Sequence, residues 1–91
     1  MYYEILVNGV RLGVYGHPEV RNMHLSVMVT ENGPEIFANA ACAEDGDLYM
    51  YNWIQQPVSS DDTVTIRQTS DANASQPQNK YKMQPRGGDR P

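Results

Sequence analysis

The chain has 91 residues, 40% of them apolar, with 7 basic and 11 acidic side chains and a formal charge of −4. That length allows one domain, and scattered Arg11, Arg21 and Arg67 exclude the clustered basic face that nucleic-acid binding requires. A single cysteine, Cys42, excludes an internal disulfide framework and fits a reducing compartment.

The first element is a strand, Tyr3-Glu4-Ile5-Leu6-Val7, rich in β-favouring side chains. Asn8-Gly9 follows, the strongest short hairpin signal, because a type I′ turn needs positive φ at both central positions. Val10 to Tyr15 alternates as the return strand. Gly16-His17-Pro18-Glu19 ends the hairpin and opens an expected helix, since Pro18 suits a first turn and Glu19 complements the helix dipole. Val20, Met23, His24, Val27 and Met28 recur at helical spacing, and Asn32-Gly33-Pro34 supplies the stop. The competing pattern is the alternation of Leu25, Val27 and Val29, which would make His24 to Thr30 a strand.

Residues 35–43 carry alanines that suit a helix, but Ile36, Ala38, Ala40 and Cys42 fall on one side of a strand. The strand is preferred, because Glu44-Asp45-Gly46-Asp47 then turns into the alternating, aromatic run Leu48 to Ile54. Gln55 to Asp62 reads as a loop containing Pro57, and Thr63 to Arg67 as the last strand. The order strand, strand, helix, strand, strand, strand predicts an α+β, β-grasp-like domain over residues 1–69. The alternative is an all-β sandwich or roll of six strands. Residues 70–91 form a polar C-terminal tail whose composition cannot bury enough apolar surface to offset its ordering entropy. Its only sizeable apolar groups are Tyr81 and Met83.

A folding unit of about 70 residues buries only about 60% of its unfolded surface, for a stability of roughly 3–5 kcal/mol. That leaves little from which to carve a deep pocket, so a binding surface is expected rather than an enzyme cleft, with no catalytic residues and no cofactor. His17 and His24 lie seven apart with no second ligand pair, so no metal site is expected. Cys42, between alanines, reads as a small buried hydrophobe. Tyr49, Tyr51 and Trp53 share one strand face, either a core wall or a binding surface. Glu44, Asp45, Asp47, Asp61 and Asp62 read as solvated loops or, alternatively, a recognition patch. No apolar run precedes a cleavage site and no span of membrane length occurs, so a cytoplasmic protein is expected.

Near the end stands Arg86-Gly87-Gly88, followed by Asp89-Arg90-Pro91. A strand-rich domain, a tail and this motif together resemble ubiquitin and its relatives, including those in bacteria. The resemblance implies a precursor cut by a peptidase between Gly88 and Asp89, then adenylated at Gly88 by an E1-like enzyme and passed by an E2-like enzyme to a target protein. Glycines suit a narrow enzyme channel because they lack a Cβ. Arg86 would meet acidic groups at its mouth, and Arg86 and Tyr81 are the partner-binding candidates. The other expectation is a small acidic protein-interaction module, such as an immunity protein or an anti-defence inhibitor.

Overall fold

Two Asx-Gly pairs set the first and third hairpin turns of the chain. Asn8 and Gly9 have φ of 53° and 82°, and Asp45 and Gly46 have 52° and 85°, the left-handed pair that a tight hairpin needs. The computed structural model describes residues 1–83. These form seven strands: β1 (Tyr2–Val7), β2 (Val10–Gly16), β3 (Val20–Thr30), β4 (Gly33–Glu44), β5 (Asp47–Pro57), β6 (Val64–Thr69) and β7 (Asn79–Lys82). They make two antiparallel sheets, β2-β1-β6 and β3-β4-β5-β7.

This architecture corrects the α+β expectation. No helix occurs among the described residues, so a β-grasp with a crossover helix does not fit. The expected helix after Pro18 is β3, and its register explains the false signal. Val20 pairs with Cys42 and Asn22 with Ala41, leaving Arg21 as an extra residue in a bulge. The bulge brings Val20 and Met23, three apart, onto one face. Beyond it Leu25 and Val27 continue at the strand period of two, opposite Ala38 and Ile36. A strand with one bulge thus carries part of a helical stripe.

The core lies between the sheets. Ile36, Ala38, Ala40 and Cys42 of β4 are buried together with Ile5 of β1, Tyr15 of β2, and Tyr51 and Trp53 of β5. Small side chains on the central strand leave room for three large rings around it. Tyr15 and Trp53 meet at 6.0 Å between centroids, and Tyr51 and Trp53 at 5.5 Å, within the range of favourable aromatic pairs. Gly13 belongs to the same arrangement. A Cβ there would lie 2.5 Å from the Tyr15 hydroxyl and 2.8 Å from Ser75 Oγ.

The polar segment after β6 packs back on this frame. Ser75 donates its N–H to the Val14 carbonyl at 2.7 Å, and its own carbonyl accepts the Trp53 indole N–H at 3.0 Å. Gln78 then donates to the Asn52 carbonyl at 2.8 Å, and β7 pairs with β5. Backbone hydrogen bonds hold the segment where apolar burial is scarce.

Candidate functional site

A sheet edge is a row of unpaired backbone groups, and among the described residues three of the four edges are short, charged or covered. Ser75 lies along β2 at Val14. β7 has four residues, two of them Lys80 and Lys82. β6 has six, with Arg67 among them. β3 is different: eleven residues long, with Val27, Met28 and Val29 exposed at 43%, 47% and 81%.

The direction of its backbone groups follows from β4. The Pro34 carbonyl is turned away from β3, accepting the Val58 N–H at 3.0 Å, whereas Ala43 donates toward β3, to the Glu19 carbonyl at 2.9 Å. Odd-numbered residues of β4 therefore face β3. Their partners in β3, such as Met28 opposite Glu35, are even-numbered. It follows that Met23, Leu25, Val27 and Val29 turn their N–H and C=O groups outward, to the open edge.

The sandwich is also incompletely closed along its apolar interior. Val27 and Ile66 share the inward faces of their strands with Leu25 and Ile5, yet both remain substantially exposed. An open groove of about 490 Å³ runs beside β3, lined by Met1, by Tyr3 of β1, and by Val20 and Met23 of β3, with Pro18, Arg21 and Asn22. Free backbone groups, apolar side chains and a groove thus adjoin one another.

Two charged clusters lie elsewhere. Glu4 is largely buried and binds Arg11 Nη2 at 2.7 Å and Arg67 Nε at 2.5 Å, while Arg11 Nη1 reaches Asp71 at 2.9 Å. Hydrogen bonds from Arg67 first, and Arg11 second, hold the Glu4 carboxyl below its ordinary range. The cluster joins β1, β2, β6 and the returning segment. In the second, Lys80 Nζ sits 2.8 Å from Glu44 and about 5 Å from the centroids of the Tyr49 and Tyr51 rings, and lowers the Glu44 pKa. His17 Nε2 is 3.3 Å from the same carboxylate, and His17 Nδ1 accepts the Glu19 N–H at 3.0 Å. Both imidazole nitrogens are engaged, so His17 offers no lone pair to a substrate proton. The cluster ties the β2–β3 connection to the β4–β5 hairpin and β7.

The other predicted residues fall as follows. Arg86, Gly87, Gly88 and Asp89 lie outside the described residues. Tyr81 is exposed on β7, opposite Met50. Tyr51 and Trp53 form core wall. Cys42 is buried, and burial first, then the Glu44 charge, pushes its thiol pKa up. The acidic residues are dispersed among turns: Asp47 lies 3.4 Å from Lys82, and Asp62 accepts from Asn8 and from the Ser59 N–H. Among the described residues no three or more His, Cys, Asp or Glu side chains converge as a metal site, and no helix is long and apolar enough to cross a membrane. Sequence reading did not select Met23, Leu25, Val27 and Val29 as a site. The alternation of Leu25, Val27 and Val29 is the signal that points to them. No family model, curated protein or solved structure matches the chain.

Proposed function

We propose that this chain is a protein-interaction module that receives a partner by strand addition along β3. The observation that carries the reading is the eleven-residue edge whose outward backbone groups, at Met23, Leu25, Val27 and Val29, adjoin exposed apolar side chains. In such docking, main-chain hydrogen bonds supply affinity, and alternate side chains supply selectivity. The small size and acidic balance that suggest an interaction module agree with it. The conjugation reading no longer has a β-grasp fold beneath it, and its Arg86-Gly87-Gly88 motif lies outside the described residues.

Photo-crosslinking in native cells tests the proposal. A photoreactive residue replaces Val29 on β3, Ile66 on β6 or Tyr81 on β7 in the full chain. Discrete adducts from position 29, lost when Val27→Pro is added, are expected. The proline removes an outward N–H and leaves the β3–β4 ladder intact. Equal adducts from all three positions, or adducts indifferent to the proline, would show that β3 is not the docking edge.

A further inference from the structure

The partner that β3 fits best is another β3. We infer that two copies of this chain pair through their β3 strands, antiparallel across a two-fold axis at Ser26, to form one continuous eight-stranded sheet. The inference rests on β3 being the docking strand and adds what occupies it.

Outward backbone groups belong to odd-numbered residues from Met23 to Val29, so antiparallel self-pairing must set odd residues opposite odd residues. Several registers satisfy that, and side chains separate them. With Ser26 on the axis, Leu25 faces the second copy's Val27, and Met23 faces its Val29. On the other face His24 meets Met28 and Ser26 meets Ser26, while Asn22 meets Thr30 toward the ends. Beyond these, Arg21 of each copy comes alongside Glu31 of the other, so opposite charges meet twice. Both side chains are exposed, and among the described residues Arg21 has only a loose 3.9 Å contact with Glu19.

Shifting the axis by one residue spoils the match. Centred on Leu25, Arg21 comes beside Val29 instead of an acid, and Asn22 faces Met28. Centred on Val27, Glu31 faces Met23. Of these three registers, only the one on Ser26 sets Leu25 and Met23 opposite valines, Asn22 opposite Thr30 and Arg21 beside Glu31, with His24 and Met28 its one mixed pair. An isologous contact of this kind closes on itself, so it yields a dimer rather than a fibre.

At the axis the two Ser26 residues form a non-hydrogen-bonded pair, with Cα atoms about 4.5 Å apart. A disulfide spans that distance, since its Cα separation starts at about 4.4 Å. The test uses the purified full chain. Sedimentation velocity from micromolar to millimolar concentration is expected to show a monomer–dimer equilibrium. Ser26→Cys under mild oxidation is expected to give a covalent dimer on a non-reducing gel, and His24→Cys none, because its counterpart is Met28. Arg21→Glu and Glu31→Arg should each weaken the dimer by about tenfold, and the double reversal should restore it.

A monomer at every concentration, or Ser26→Cys and His24→Cys cross-linking alike, would overturn the self-pairing. A chain that stays monomeric while photo-crosslinking from position 29 captures a different protein leaves the docking edge standing and removes only its twin as occupant. A dimer that keeps its affinity in Val27→Pro would overturn both, since the contact would then lie off β3.

Discussion

The segment Ser70 to Met83 and strand β3 invert what their compositions suggest. The first is polar, yet it is fixed against two sheets through Ser75, Gln78 and β7. The second is rich in valine and methionine, yet it lies at an edge with Val29 almost free. What separates them is the supply of backbone partners. The returning segment finds the Val14 carbonyl, the Trp53 indole and the edge of β5, each needing a partner when water is withdrawn. β3 finds β4 on one side and, among the described residues, no strand on the other. Apolar content alone therefore does not say which part of a small sandwich is sealed.

The contrast can be broken first at Trp53. Trp53→Ala removes both a core wall and the donor to Ser75, and is expected to cost about 3–5 kcal/mol, close to the entire stability of so small a core. Far-ultraviolet circular dichroism should find the variant largely unfolded at room temperature. Ser75→Pro is milder. It withdraws the N–H that the buried Val14 carbonyl accepts, at a cost of about 1–3 kcal/mol, visible as a lower urea midpoint. Ser75→Ala leaves that bond intact and should fall well below it.

Acid acts on the returning segment without mutation. Glu4 and Asp71 both have lowered carboxyl pKa values, Glu4 chiefly through Arg67 and Asp71 through the Asn73 N–H and then Arg11. Their contribution is fully present above the ordinary carboxylate range and is lost as pH falls through the lowered values. The thermal midpoint should thus decline in that acidic window and stay level near neutrality. Glu4→Gln should lower the neutral midpoint and flatten the decline. The smallest effect is expected on the open side. Val29→Lys should change stability by no more than about 0.5 kcal/mol, while weakening self-association in sedimentation velocity. A large destabilisation there would mean that β3 is more enclosed than its exposure indicates.

Much of the strand pattern is legible in the sequence because the signals are local. Asn8-Gly9 and Asp45-Gly46 announce their turns, and Tyr49, Tyr51 and Trp53 alternate visibly. β3 is misleading because the Arg21 bulge, a feature of pairing with β4, inserts a three-residue spacing into a two-residue pattern. β7 is invisible for a related reason. Asn79-Lys80-Tyr81-Lys82 has no strand composition, and it becomes one only against the edge of β5. The candidate site is harder still, since it consists of unpaired groups, and no residue type encodes the absence of a neighbour.

The chain order of these contacts also sets a timetable. Strands β3, β4 and β5 follow one another through short turns and can pair as soon as they are made. β1 must wait for β6, more than fifty residues later, and Trp53 must wait for Ser75. During vectorial synthesis, there is accordingly an interval when β1 is itself an edge and the indole lacks its acceptor. A cell that slows translation between residues 57 and 75 would lengthen that interval, and aggregation during synthesis, rather than instability of the finished protein, would be the consequence.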